Sequence, residues 1–152
     1  MRQSWLLVMF TAVALSAWPA APSHALGPQP LTVEQRQALD QGLQTLEKSL
    51  VALRDRPAGE VADAGIFLKG LAWGLKYDRE FTPADLALLQ KAVTRGEQRA
   101  RALAEGKRPW TARRGKLALG YVSRVDNSVQ PYGIIIPAKY DPTRPTRLDV
   151  VL

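Results

Sequence analysis

The chain has 152 residues, with 21 Lys plus Arg against 14 Asp plus Glu, a formal charge of +7, one His and no Cys. That length holds one domain at most. Without Cys there is no disulfide and no lipid anchor through a modified Cys, so packing alone must stabilise the protein, even in an oxidising compartment.

Arg2, the apolar run from Trp5 to Ala17 and the small residues of Ser23-His24-Ala25 have the three-part form of a secretory signal peptide over residues 1–25. Cleavage is expected between Ala25 and Leu26, into a periplasmic or extracellular space. The apolar run of 13 residues is too short for a bilayer core of roughly 30 Å, so no stable membrane anchor is expected after cleavage. Loss of Arg2 leaves 20 basic against 14 acidic residues. For an exported chain with no aromatic-basic recognition motif, nucleic acid is not an expected partner, and solubility accounts for the charge.

Residues 26–31, with Pro28 and Pro30, read as an extended lead-in. Thr32-Val33-Glu34-Gln35 is a capping-box pattern that opens a first helix, expected to run to about Arg54. Its apolar residues Leu39, Leu43, Leu46, Leu50 and Leu53 form one stripe, suited to a helix–helix core. Pro57-Ala58-Gly59 breaks it. A second helix is expected from Glu60 or Val61, with Glu60 and Asp63 set favourably against the positive end of the helix dipole. Val61, Ala64, Leu68, Leu71 and Leu75 make its stripe, broadened by Phe67, Trp73 and Tyr77. Gly65, Gly70 and Gly74 lower its intrinsic helicity by about 1 kcal/mol each, so it needs tertiary support and is expected to be the central helix. Thr82-Pro83-Ala84-Asp85 opens a third helix, which carries Leu86, Leu89, Val93, Ala100 and Leu103 and ends at Gly106.

After a linker over residues 107–115, alternation at Leu117, Leu119, Tyr121, Ser123 and Val125 predicts a half-buried strand. Asp126-Asn127-Ser128 permits a tight reversal, and Val129 to Pro137 returns as a second strand. Pro137, Pro142 and Pro145 mark a loop. Leu148-Asp149-Val150-Val151-Leu152 then reads as an inner strand buried on both faces.

Ser128-Val129-Gln130-Pro131-Tyr132-Gly133, three Ile, Pro137, Tyr140-Asp141-Pro142 and the Leu-x-Val-Val-Leu run resemble the opening of secreted α/β-hydrolases of the prolyl-oligopeptidase and carboxylesterase type. Phe67-Leu68-Lys69-Gly70, Trp73, Tyr77 and Phe81-Thr82-Pro83-Ala84-Asp85 are similar to the front segment of such enzymes, less specifically. The resemblance implies an opening antiparallel hairpin, then a strand that delivers a His-Gly oxyanion loop one residue beyond Leu152. It places the nucleophile elbow, the acid and the triad His further on. The expected fold class is therefore α+β. It comprises a three-helix N-terminal unit over residues 32–106 and, over 116–152, the initial strands of an incomplete α/β-hydrolase sheet: a hairpin plus one inner strand.

Within these residues, a Ser-His-Asp mechanism has no base: the single His, His24, lies in the segment removed on export. No G-x-S-x-G, phosphate loop or calcium-loop spacing occurs, and a zinc site lacks ligands. No catalytic, cofactor-binding or metal residue is assigned, and no cofactor is expected. Asp149 falls too early for the triad acid and reads as an exposed or edge-facing carboxylate. Three clusters each admit two readings. The basic stretch Arg95, Arg99, Arg101, Lys107, Arg108, Arg113, Arg114 and Lys116 reads as a solvated face, or else as a grip for an anionic polysaccharide or lipid headgroup. Trp73, Tyr77 and Phe81 read as core, or else as an aromatic groove. Tyr121, Tyr132 and Tyr140 read as covering the sheet and its loop, or else as flanking a cleft.

The leading expectation is the non-catalytic front of an exported serine hydrolase, truncated before its catalytic machinery and inactive alone, whose one partner is the missing catalytic part. The alternative is a periplasmic binding or interaction module with a basic patch. A third is a module completed by strands from a partner chain.

Overall fold

The computed structural model describes residues 27–150. The secretory segment expected over 1–25 and the last two residues of the expected inner strand lie outside the described residues.

Local hydrogen bonding sets the helix starts. In α1 (Val33–Val51), Thr32 Oγ1 accepts from the Gln35 N–H at 3.2 Å while Gln35 Oε1 accepts from the Thr32 N–H at 2.9 Å. In α3 (Pro83–Ala104), Thr82 and Asp85 form the same reciprocal box at 3.2 and 2.9 Å, with Pro83 in the first turn. α2 (Ala58–Tyr77) begins two residues earlier than the acids suggest, because the Pro57 carbonyl already accepts from Glu60 and Val61. α1 stops short of Arg54. The chain tightens there into three-residue turns, Leu53 N–H to Leu50 O and Arg56 N–H to Leu53 O.

The leucine stripe of α1 meets α2 and α3 in two clusters. One gathers Leu46, Leu53, Ala64, Ala100, Leu103 and Trp110; the other gathers Leu39, Leu71 and Leu75. Five consecutive residues of α2, Ala62–Ile66, are buried, as befits the central helix. α1 and α3 approach closely at Gly96, where an added Cβ would lie 2.5 Å from Leu46 Cδ2. Ahead of the bundle, Gln29 and Phe81 exchange two backbone hydrogen bonds and tie the lead-in to the α2–α3 connection.

A short 3-10 turn, Pro109–Ala112, leads to an antiparallel hairpin of β1 (Gly115–Val122) and β2 (Val129–Ile136), in register from Gly115 opposite Ile136 to Val122 opposite Val129. The fold is thus three helices plus a two-stranded antiparallel sheet, broadly α+β. The reversal spans Ser123 to Ser128, closed by the Ser123 N–H to Ser128 O bond at 2.8 Å. Asn127 takes the left-handed conformation (φ 56°) that Asn tolerates. β1 does not reach Val125, which sits in this turn and is 96% exposed. The apolar alternation expected of a strand therefore runs on into the reversal.

The expected inner strand is not formed over Leu148–Val150. No ladder includes these residues, and Leu148 and Val150 are 74% and 73% exposed. A strand gains hydrogen bonds only from a free sheet edge. Beside β1 that edge is taken by α2, whose Asp63 side chain accepts the Gly120 N–H. After β2 the chain turns through Pro137 and Asp141 without running back along the hairpin. Asp149 is exposed and pairs with Arg147 at 2.7 Å.

Candidate functional site

Asp63 is the only charged side chain buried among the described residues, and it joins the bundle to the hairpin. Its Oδ2 accepts from Trp110 Nε1 at 2.8 Å and its Oδ1 from the Gly120 N–H at 2.9 Å. Its backbone carbonyl accepts from Arg99 Nη1 at 2.6 Å. Both carboxyl oxygens are thereby satisfied by groups from the 3-10 turn and from β1. The approach depends on Gly120, where any Cβ would run into the Ala62 carbonyl oxygen. Reading Asp63 only as a helix-dipole acid understates it. Its signal in the sequence is its setting: a lone acid inside Val61-Ala-Asp-Ala-Gly-Ile-Phe67, where no solvent-facing position follows from the helical period.

Arg99 is held beside this junction. Its guanidinium lies 4.9 Å from the Phe67 ring centre and 5.0 Å from that of Trp110, geometry suited to cation–π attraction. Burial pushes the Arg99 pKa down; Asp63 opposes this, and the neighbouring Arg95 and Arg113 add to it. The group stays charged at neutral pH, as arginine does throughout proteins.

The eight-residue basic stretch therefore does not form one solvated face. Arg108 pairs with Glu60 at 2.9 Å and Lys107 with Glu105 at 2.9 Å. Arg114 lies over Tyr140, 5.3 Å from the ring centre. Arg95 and Arg99 from α3 converge with Arg113 and Lys116, on the approach to β1 and in it, around a cleft of about 320 Å³ walled by Trp110 and Leu117. Among the described residues none of these four cations has a carboxylate partner within ion-pair distance.

A second, larger cleft of about 880 Å³ runs between α2 and the hairpin turn, with Val61, Leu68, Trp73, Val122 and Val129 among its walls. Lys69 closes one side, donating to Val129 O at 2.8 Å and to Gln130 Oε1 at 3.1 Å while lying 4.6 Å from the Trp73 ring centre. Core filling holds for Phe81, which is 6% exposed, but not for Trp73 and Tyr77, which are 56% and 64% exposed. Those two meet edge to face at 6.1 Å on the outer side of α2. The reason is rotational: Leu71 and Leu75 already occupy the inner face of this turn. Tyr121 and Tyr132 pack together at 6.1 Å across the sheet, and Tyr140 sits in the following loop; the structure does not bring the three tyrosines around one cleft.

Among the described residues no group of three His, Cys, Asp or Glu side chains could hold a metal ion, and no helix is long and apolar enough to cross a membrane. No protein-family model, curated protein or solved structure matches the chain.

Proposed function

We propose that this chain is the non-catalytic N-terminal portion of an exported α/β-hydrolase of the prolyl-oligopeptidase or carboxylesterase type, with ester or peptide hydrolysis belonging to the complete enzyme. The observation that carries the reading is the outer flank of β2. Ile135 on one face of this edge strand is 70% exposed and Tyr132 on the other is 43% exposed, and Leu148 and Val150 beyond them are unburied. An open strand edge lined with apolar side chains invites pairing with another chain, and self-standing proteins blunt or cover it. A further strand laid along β2 would cover that flank. The bundle is locked to the other side of the hairpin through Asp63 and Gly120 and reaches this side at Val129, where Lys69 donates to the carbonyl, leaving the edge open from Gly133 onward.

Under this reading the three helices act as a rigid block beside the first strands, and chemistry is delivered by residues that follow. The reading frame after the Leu152 codon tests it. A His-Gly pair at once, and a G-x-S-x-G further on, are the expected result. A stop codon with no such sequence in any frame would remove the reading's support.

The basic cleft favours the second reading, a binding module, on the separate ground that none of its cations has a carboxylate partner among the described residues.

A further inference from the structure

We infer that the cleft between α3 and the start of β1 is a binding site for the phosphate or carboxylate group of a small molecule, held by Arg95, Arg113 and Lys116 beside the fixed guanidinium of Arg99.

Two cations of α3, one of the connection and one of β1 line one small cleft, and no carboxylate lies within ion-pair distance of any of them among the described residues. Asp63, the acid whose charge acts on Arg99, has both oxygens engaged by Trp110 and Gly120. Like charges brought together are repulsive; water screens the exposed Arg95, Arg113 and Lys116, so the repulsion bears most on the half-buried Arg99. A bound oxyanion removes that repulsion.

Arg99 is fixed by its bond to the Asp63 carbonyl and by Phe67 and Trp110, so its planar fork loses little freedom on binding. That bond is the one hydrogen bond its guanidinium makes among the described residues, out of five N–H donors. Guanidinium groups match carboxylate and phosphate oxygens in bidentate geometry.

At about 320 Å³ the cleft suits a compact ligand. The remaining cations do not extend it into a track for a polymer, because Lys107 and Arg108 are paired with Glu105 and Glu60.

Calorimetric titration of the purified chain with inorganic phosphate, glycerol phosphate and citrate, against chloride at matched ionic strength, tests the site. Saturable binding of one equivalent is expected for at least one of the three, and the three arms separate phosphate from carboxylate recognition. Arg113→Gln and Lys116→Gln should each weaken it about tenfold, the value of one charge-assisted hydrogen bond. Both side chains are exposed and outside the packed core, so either variant serves if the other fails to fold. Arg124→Gln, at the far end of the hairpin, should leave binding unchanged. The inference is overturned if no anion saturates, or if Arg124→Gln weakens binding as much as the cleft variants do, since that marks a diffuse charge effect.

Discussion

At the residue scale, one carboxyl group decides how the two halves of the molecule meet. Asp63 presents two acceptors to two buried N–H groups, and an unsatisfied buried donor costs about 1–3 kcal/mol. Asp63→Ala strands both, and should lower the unfolding free energy by roughly 3 kcal/mol, read from urea unfolding followed by tryptophan fluorescence. Asp63→Asn keeps one acceptor and should fall between the two. Equal stability of all three forms would show that the hairpin docks without this contact. The sequence could reveal an acid in an apolar run, but not its partners: Trp110 and Gly120 are 47 and 57 positions away. Arg99 was hidden in the same way. Among eight basic residues nothing local separates the one that is held between two aromatic rings from those that face water. Trp73 and Tyr77 were misread for a related reason, since a helical stripe gives a face but not how far a neighbour covers it.

At the element scale, helix boundaries were legible because caps are local. Thr32 and Gln35, and Thr82 and Asp85, are three residues apart, and each pair builds the box that its residue types predict. The carboxyl of Asp85 is held below the usual range by the Thr82 hydroxyl and then by the Thr82 N–H. Asp126 is likewise lowered in the hairpin turn, by Ser123 and then Ser128. A carboxyl whose pKa is lower folded than unfolded adds stability above its unfolded value of about 3.9, and this stability is lost as pH falls through the folded value. Thermal melts of Asp85→Asn should therefore show a smaller loss of stability than the parent over about pH 5 to 2. An identical acid limb in both would mean that the box contributes nothing through charge. The strands were less legible. β1 and β2 follow from alternation and turn residues, whereas pairing of Leu148–Val150 depends on an edge that only tertiary structure can offer. Val125 shows the limit of period-two reading: alternation cannot say where a strand stops and its reversal begins.

At the scale of the whole molecule, the two edges of the hairpin are not equivalent. The Gly120 N–H turns away from β2 to reach Asp63, and the Val129 carbonyl turns away from β1 to reach Lys69. Antiparallel partners alternate between bonded and non-bonded pairs, so Gly120 opposite Pro131 and Val122 opposite Val129 are non-bonded pairs. Continuing that alternation, Gly133 and Ile135 direct their backbone groups outward from β2. Pro131 has no N–H to offer at the same edge, and Lys69 already occupies Val129, so a further strand has its best purchase from Gly133 onward. A larger sheet begun by this hairpin therefore grows along β2 from Gly133. Amide hydrogen exchange at Gly133 and Ile135 measures it, comparing this chain with one lengthened by the residues encoded after Leu152. Rapid exchange in the short chain and protection increased by about a hundredfold or more in the long one are the expected result. Amides already protected in the short chain, or equally open in both, would contradict it.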